Sequence, residues 1–289
     1  MVSLYIMGEK GLTVLKESLQ YKTSIAQVIG ARDKNVQNDY YNEIRQVCSE
    51  NRIDFHDRTE NVSVQTEYSI AISWRWIIKP EAGCRLIILH DSLLPKYRGF
   101  APLVNMLINH EPKVGVTALF ANGEFDRGDI IAQKCVDVHY PIRIHDAIAQ
   151  VSKLYGEIVQ ELLCKIDDRS EIAAKPQDES EATYSLWRNE DDYEIDWHKD
   201  ATYIQQFIYS VGFPFSGASS SFEGVKYRFW DCEIVEDVVI ENRCPGKVMF
   251  MRDGCPVIVC GKGLLKVTKL ETEDGQSSLP LKKFRMWFK

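Results

Sequence analysis

The sequence lacks the features that mark several large classes of protein. No stretch of its 289 residues approaches the roughly 18 consecutive apolar residues of a membrane-spanning helix, and its first residues lack the basic start of a secretory signal. The formal net charge is −7, whereas surfaces that bind nucleic acids are usually basic. The eight cysteines include no Cys-x-x-Cys pair, so reduced thiols are expected and no metal. We therefore expect a cytoplasmic protein without a membrane or nucleic-acid partner.

What the sequence does contain is an alternation of strand-like and helix-like segments. The apolar runs VSLYIM, IAQVIGA, YSIAISWRWII and RLIILH are separated by segments of helical length. This pattern favours an α/β fold with a Rossmann-like, open, mostly parallel sheet. In such a sheet the chemistry lies at the carboxyl ends of the strands, and His90 stands at one of them. Gly8 and Gly11 are two glycines rather than the three of a dinucleotide fingerprint, so they indicate a strand-to-helix turn.

The pattern of strand-like and helix-like segments changes along the chain, which predicts two domains. Residues 1–180 are predicted to form the Rossmann-like domain, and the polar residues 181–204 a linker and the start of the second domain. Residues 205–289 carry short β-rich runs bounded by Gly, Asp and Pro. Runs of this kind predict a smaller C-terminal β-barrel of OB-like type.

His90 and Asp126 are the candidates for proton chemistry. If the strands bring them to one edge of the sheet, they form an imidazole–carboxylate pair that can move a proton near neutral pH. The residues alone leave a second interpretation open. A single histidine at the end of a strand is often structural, and an aspartate in the motif FDRGD can simply form a turn.

Two separated motifs resemble a known family. HDSLLPKYRGFAP, followed by GVTALFANGEFDRGDIIAQ, is similar to the formyltransferases that use 10-formyltetrahydrofolate. Later segments resemble the C-terminal domain shared by methionyl-tRNA formyltransferases and formyltransferases of sugar nucleotides. The resemblance implies a formyl transfer in which His90 and Asp126 are the catalytic histidine and aspartate.

The same resemblance assigns a site for the folate donor. It implies binding of the pterin ring by residues of the SWRWII segment and of the loop that follows the GVTALF strand: Trp74, Trp76, Ile77, Ala121, Asn122 and Asp126. For the two tryptophans a structural interpretation competes, because aromatic residues beside a buried strand usually just pack.

One position departs from the family pattern. The family carries an asparagine two residues before the histidine, and this chain has Ile88 there. An isoleucine cannot donate a hydrogen bond to the developing oxyanion, and loss of one such donor typically costs about 10²–10³ in rate. Three explanations stay open: a substitute donor such as Asn122 or a backbone N–H, a slow enzyme, or a catalytically silent module that binds folate or nucleotide.

The acceptor is expected to be a nucleotide-linked 4-amino sugar, bound to UDP or dTDP. The segment YSLWRNEDDYEIDW is similar to that of sugar-nucleotide formyltransferases, and an arginine there can meet a diphosphate. The residues assigned to this side are Ser92, Lys96, Tyr97, Arg98, Tyr184, Arg188 and Asp192, although charged runs are often only solvated surface. The alternative acceptor is a methionyl-tRNA. A homodimer through the C-terminal part is also expected from the resemblance.

Overall fold

The computed structural model describes residues 1–60 and 65–289. Within these ranges the chain forms two compact units. The first comprises Met1–Leu103, Pro112–Val138 and Asp146–Trp187, and the second Val104–Glu111, His139–His145 and Arg188–Lys289.

A central sheet organises the first unit. In the described residues it has seven strands: β1 Val2–Ile6, β2 Ile25–Gly30, β3 Phe55–Asp57, β4 Tyr68–Ile72, β5 Arg85–His90, β7 Lys113–Phe120 and β8 Ile130–Asp137. Their order is β3-β2-β1-β4-β5-β7-β8. The first five are parallel, whereas β7 and β8 are antiparallel to their neighbours. The predicted open, mostly parallel sheet is confirmed.

Helices flank these strands along the chain. In the described residues α1 Gly8–Glu17 follows β1, α2 Tyr41–Asn51 follows β2, α3 Pro102–Ile108 precedes β7 and α4 Ile144–Asp167 follows β8, with short 3₁₀ turns at Leu19–Tyr21, Glu179–Glu181 and Asp191–Tyr193. As predicted, the first glycine pair makes a strand-to-helix turn. Gly8 has a φ of 69°, and a Cβ on Gly11 would lie 3.0 Å from the Cβ of Ile6, so the helix begins directly against the strand that precedes it.

The core of this sheet explains why its parallel strands were visible in the sequence. Leu4 and Ile6 of β1, and Ile70 and Ile72 of β4, are fully buried. Parallel strands covered on both faces read as continuous apolar runs. The strand order reverses between β1 and β4, and in open α/β sheets ligands bind at the carboxyl ends beside such a switch point.

Two strands of this sheet were not predicted. β3 has only three residues, all half-buried, which is too short for a periodic signal. Ile130–Asp137 is an edge strand with a mixed burial pattern, and the sequence interpretation treated its start as a polar loop. A further two-residue ribbon pairs β6 Arg98–Gly99 with β9 Tyr184–Ser185 in parallel.

The second unit carries an antiparallel sheet. Besides α5 Ala201–Ser210, its described residues form five strands: β10 Ala218–Phe222, β11 Val225–Val235, β12 Val248–Arg252, β13 Cys255–Val259 and β14 Leu264–Thr272, in the order β10-β11-β14-β13-β12. The edge strands β10 and β12 are not paired with each other, so the expected barrel is not a closed ladder of strands. The C-terminal residues reach both edges instead: Lys289 accepts from Ser221 N–H at 2.9 Å, and Met286 from Val248 N–H at 3.0 Å.

Three absences concern the described part of the chain. None of its helices is both long and apolar enough to cross a membrane. Its eight cysteines are all unpaired. Histidine, cysteine and carboxylate side chains do not gather there in any group of three or more that could hold a metal ion.

Candidate active site

The imidazole of His90 ends β5 and is buried. Its Nε2 lies 2.8 Å from the carbonyl oxygen of Tyr97, and its Nδ1 lies 3.4 Å from Oδ1 of Asp126. Tyr97 belongs to the turn after β5 and has a φ of 58°. Residues other than glycine rarely adopt this left-handed region, and such strained residues cluster at functional sites.

Asp126 lies on the loop between β7 and β8 and completes this pair. Its Oδ2 accepts a hydrogen bond from the N–H of Gly99 at 2.8 Å, and its own φ is 56°. Gly99 has a φ of 99°, and a Cβ there would lie 2.6 Å from the carbonyl oxygen of Ser185. Only glycine fits this place, because the backbone of β6 must run close to that of β9 while donating to the carboxylate.

Hydrogen bonding determines where the protons of His90 lie. A carbonyl oxygen cannot donate, so Nε2 must carry a proton to bond Tyr97. Nδ1 faces a carboxylate, and the two attract each other only when a proton lies between them. We call His90 and Asp126 the proton pair, because their geometry allows one proton to be held, given or taken between imidazole and carboxylate.

Gln177 anchors the loop that carries Asp126. Its Nε2 donates to the carbonyl oxygens of Asp126 and Gly128, both at 2.8 Å. Its Oε1 accepts from Nη2 of Arg98 at 2.7 Å. Sequence reasoning missed this residue because it lies about 50 residues from the loop it holds, inside a segment whose polar composition is typical of a linker.

Arg98 is fully buried, and the protein itself surrounds its guanidinium. Two nitrogens of the group bond the two carboxylate oxygens of Glu179 at 2.7 and 2.9 Å, a fork geometry that suits arginine. Arg127 bonds the same carboxylate at 2.7 Å. Hydrogen bonds from Arg98 and Arg127 lower the pKa of Glu179 to about 2. The structure therefore places Arg98 behind the turn after β5, as a support for the loop of Asp126.

A second network, also missed in the sequence, lies beside His90. The carboxylate of Asp91 forms an ion pair with Lys10 and accepts from the hydroxyl of Tyr155 at 2.7 Å. Burial acts to raise the pKa of Asp91, but the charge of Lys10 and the hydrogen bonds from Lys10 and Tyr155 hold it below its usual range. Burial and the nearby carboxylate raise the pKa of Tyr155. A buried ion pair between Asp91 and Lys10 is thus held next to His90.

The residues assigned to the folate ring follow β4. Trp74 contacts Tyr5 and Trp76 edge to face, with ring centroids 5.3 Å apart in both pairs. Both tryptophans are half-buried, and Ile77 is 77% exposed. This group leaves aromatic and aliphatic surface open at the carboxyl end of a strand that neighbours β5.

The loop after β7 holds the remaining donor-side residues. Ala121 donates its N–H to Leu86 at 2.9 Å, which fixes the start of the loop. The Oδ1 of Asn122 accepts the N–H of Glu124 at 3.1 Å. Its amide nitrogen has no hydrogen-bond partner in the described residues, and Phe125 is 74% exposed, so this loop leaves an amide donor and an aromatic ring open to solvent.

Ile88 points to the same face of β5 as His90, because alternate residues of a strand share a face. It packs against the apolar cluster of Leu94, Leu119 and Ile130. The position two residues before the histidine therefore belongs to a small apolar contact and supplies no hydrogen-bond donor.

The acceptor-side residues of the first unit occupy different environments. Ser92 is fully buried and donates to the carbonyl oxygen of Lys96 at 2.6 Å, so it holds the turn together. The side chain of Lys96 is exposed. Tyr184 is 64% exposed, with its hydroxyl 3.4 Å from Nη1 of Arg98.

Arg188 and Asp192 lie in the second unit. Arg188 donates to Oδ1 of Asn105 at 2.7 Å and to the carbonyl oxygen of Asp192 at 3.2 Å. Its Nε is buried and has no hydrogen-bond partner among the described residues. Asp192 accepts from the N–H of Asn189 at 2.8 Å. One N–H of the Arg188 guanidinium therefore lacks an acceptor in the described residues.

Comparison with known proteins identifies the family. The formyl transferase family matches residues 16–161, and the formyl transferase C-terminal domain matches residues 188–284. The methionyl-tRNA formyltransferase of Ralstonia pickettii is 30% identical over 227 residues, which cover 78% of this chain and 67% of that protein. The chain spans 60–67% of the length of the curated relatives of this kind that it matches.

Solved structures share the fold at low identity. The N-formyltransferase of Helicobacter canadensis, crystallised with folinic acid and dTDP-3-aminofucose, is similar with a TM-score of 0.68 and 15% identity over 96% of this chain and 98% of that one. HypX of Aquifex aeolicus in complex with tetrahydrofolic acid has a TM-score of 0.62 and 19% identity, over 96% and 45%. The chain belongs to the formyl transferase family.

Proposed function

We propose that the protein transfers the formyl group of 10-formyltetrahydrofolate to the amine of a nucleotide-linked amino sugar. The observation that carries the proposal is the proton pair: a buried imidazole with Nδ1 3.4 Å from a carboxylate at the carboxyl end of the sheet. Amine formylation requires that an amine proton be removed and a leaving nitrogen be protonated. A group that shares one proton between two side chains suits both steps.

The proton pair would work as follows. When bound, the donor supplies an electrophilic formyl carbon. Asp126 takes the proton that the attacking amine loses as the new carbon–nitrogen bond forms. The imidazolium form of His90, held between Tyr97 and Asp126, balances the negative charge that develops on the formyl oxygen, and the proton that Asp126 has taken passes to the nitrogen that leaves. The N–H of Gly99 keeps the carboxylate in place throughout.

The residues after β4 and β7 fit a folate donor. A pterin ring needs an apolar or aromatic surface and a few polar groups, and Trp74, Trp76, Ile77 and Asn122 offer both. Folate-type ligands are present in the structurally similar Helicobacter canadensis and Aquifex aeolicus proteins, which supports this assignment.

A sugar nucleotide is favoured as acceptor by two observations. The similarity to the Helicobacter canadensis enzyme extends over nearly the whole of both chains, and that enzyme was crystallised with a dTDP-linked amino sugar. The Nε of Arg188 has no hydrogen-bond partner among the described residues, and a guanidinium N–H is a donor suited to a phosphate oxygen. Lys96 and Tyr184 are further exposed groups that we assign to the acceptor side.

Initiator methionyl-tRNA is the second candidate, favoured by the 30% identity to the Ralstonia pickettii enzyme. The net charge of −7 disfavours it, because an acidic polymer is bound by basic surfaces.

The test is to mix the protein with 10-formyltetrahydrofolate and a panel of UDP- and dTDP-linked amino sugars, or with charged initiator tRNA, and to follow release of tetrahydrofolate. Release of tetrahydrofolate with an amino sugar supports the proposal. Release only with charged initiator tRNA would show that the acceptor is not a sugar nucleotide. Binding of folate without any release would make the protein a silent module.

A further inference from the structure

A cavity lies at the carboxyl ends of β2 and β3, away from His90. Its volume is about 530 Å³. We call it the basic cavity; it is lined by residues that follow β2, β3 and β4: Ala31, Arg32, Asp33, Lys34, Asn35, Asp57, Arg58, Thr59, Arg75 and Trp76. None of the proposed reaction steps uses it.

Positive charge dominates this lining. Arg32, Lys34, Arg58 and Arg75 are all exposed, in a protein whose net charge is −7. Neither the ammonium of Lys34 nor the guanidinium of Arg58 has a hydrogen-bonded or ion-paired partner in residues 1–60 and 65–289. An acidic chain that gathers four cations around one cavity, and leaves two of them without a hydrogen-bonded or ion-paired partner in the described residues, has a surface suited to an anion with several charges.

The two carboxylates of the cavity are held by neighbouring groups. Asp33 is paired with Arg75 at 2.7 Å, and its side chain is only 7% exposed. Asp57 accepts hydrogen bonds from the side chain and N–H of Thr59 and from the hydroxyl of Tyr41, which lower its pKa. A third carboxylate, that of Asp39, lies 3.2 Å from Arg32 beside the cavity, so four cations face three carboxylates and leave a net charge of +1.

Trp76 connects this cavity to the donor site. Its ring contacts Trp74 on one side, and the guanidinium of Arg58 lies 4.1 Å from its centroid. Neighbouring strands are about 4.8 Å apart, so the end of β2 lies roughly 10 Å, two strand spacings, from the end of β4. A ligand held by an aromatic ring against the two tryptophans therefore reaches the cations with its distal end.

We propose that the basic cavity binds the glutamyl tail of the folate donor and selects folates that carry several glutamates. The inference rests on the proposed donor, whose tail ends in carboxylates that are ionised at neutral pH. Each added glutamate brings another carboxylate into the reach of Lys34, Arg58 and Arg32. The other anion that would suit the same cations is the diphosphate of the sugar-nucleotide acceptor.

The test compares two forms of 5-formyltetrahydrofolate, a donor analogue that does not transfer its formyl group. Isothermal titration should show the pentaglutamate to bind about 10-fold more tightly than the monoglutamate at low salt, as the sum of a few weak exposed ion pairs. The difference should shrink at high salt, because exposed charges are screened. Equal affinities at low salt would overturn the proposal.

Substitutions locate the effect. Lys34→Gln and Arg58→Gln should each reduce the preference for pentaglutamate without changing monoglutamate binding. Lys22→Gln is the matched control, because it removes an exposed lysine just before β2, at the opposite end of the strand. If Arg58→Gln does not fold, Lys34→Gln alone decides.

Two further outcomes distinguish the glutamyl tail from the acceptor diphosphate as the bound anion, and distinguish failure of this site from failure of the proposed formyl transfer. A raised KM for the sugar nucleotide in Lys34→Gln, with the pentaglutamate preference intact, would assign the cavity to the acceptor and overturn the proposal. A preserved pentaglutamate preference that depends on Lys34, in a protein that transfers no formyl group, would support this site while rejecting the proposed transfer.

Discussion

Two polar regions at the carboxyl edge of the same sheet are held in different ways. In the proton pair, each nitrogen of His90 faces a protein oxygen, and Asp126 is fixed by a backbone N–H and, through its loop, by Gln177. In the basic cavity, two of the four cations have no hydrogen-bonded or ion-paired partner in the described residues, although Arg58 lies against the ring of Trp76. The first region is buried and completed by the protein, and the second is exposed and incomplete.

The difference matches two kinds of task. Groups that move protons must stay within a few tenths of an ångström of the productive geometry, so they need neighbours that lock them. Groups that bind an anion make their hydrogen bonds to the ligand, and partners within the protein would compete. If this division between reaction and binding is real, substitutions in the two regions have different effects on turnover and on affinity.

The largest effect is expected in the proton pair. Asp126→Asn keeps an oxygen that can accept from Gly99 N–H, but an amide cannot take a proton. Turnover should fall by about 10²–10⁴, while the affinity for 5-formyltetrahydrofolate and the melting temperature stay near those of the wild type. Kinetics of tetrahydrofolate release, together with titration calorimetry, measure both. A kcat close to that of the wild type would remove Asp126 from the mechanism.

Ile88→Asn tests the missing oxyanion donor. The prediction applies if the amide nitrogen of Asn122, whose Oδ1 accepts within its own loop, is not a substitute donor. The new amide should then raise turnover by up to about 10²-fold. It should also lower the free energy of unfolding by about 1–3 kcal/mol, because a polar group enters the cluster of Leu94, Leu119 and Ile130. Urea unfolding and steady-state kinetics check the two effects.

The opposite result at this position is equally informative. A neutral or slower Ile88→Asn variant, combined with a severe loss in Asn122→Ala, would show that Asn122 is a substitute donor after all. Ile88→Ala serves as the control, because it shortens the side chain without adding a polar group.

Gln177→Leu addresses the support of the Asp126 loop. The substitution leaves the carbonyl oxygens of Asp126 and Gly128 without their donor, which should cost about 1–3 kcal/mol of stability. We expect kcat to fall by about 10-fold, with little change in KM, as the carboxylate loses its fixed position. Gln160→Leu on α4 is the matched control, because Gln160 makes only an exposed contact at 3.4 Å. Unchanged kcat in a destabilised Gln177→Leu variant would reduce this residue to a structural role.

Arg188→Ala tests the acceptor-binding role proposed for this residue of the second unit. If its Nε meets a phosphate of the acceptor, KM for the sugar nucleotide should rise by about 10-fold, the value of one hydrogen bond to a charged group. The affinity for folate should not change. A similar weakening of both ligands, or of neither, would argue against this role.

The smallest effect concerns stability and pH. The pKa of Glu179 is about 2 in the folded protein, below its ordinary value near 4.5, so the carboxylate stabilises the fold above pH 4.5. This stability is lost as the pH falls from about 4.5 to about 2. The difference in urea unfolding between wild type and Glu179→Gln should therefore be largest at neutral pH and shrink across this window. Glu181→Gln, which removes a carboxylate without an ion pair in the described chain, is the control.

Sequence reasoning succeeded where a single segment carries the signal. The strands β1, β2 and β5 are buried apolar runs, and each could be located from composition and length alone. His90 and Asp126 were named from motifs, and the structure brings them together. β3 was missed because a strand of three half-buried residues is too short to show a hydrophobic periodicity.

The supports of the site could not be predicted for a different reason. Gln177 and Glu179 reach the loop of Asp126 from a distant polar segment, and Lys10 of α1 meets Asp91, which follows β5. These contacts depend on tertiary packing, and no local pattern encodes which polar residue will face which. The basic cavity was missed likewise, because Arg32, Arg58 and Arg75 follow three different strands.

The most direct test of this account is a crossed measurement on Asp126→Asn and Lys34→Gln. Both variants are saturated with pentaglutamyl 10-formyltetrahydrofolate, and the transfer of one formyl group to the acceptor is followed in a single turnover, with the donor affinity measured in parallel. We predict that Asp126→Asn binds the donor normally and transfers slowly, whereas Lys34→Gln binds it weakly and transfers at the wild-type rate. If both variants lose affinity and rate together, the proton pair and the basic cavity are not separate functional regions, and the account is wrong.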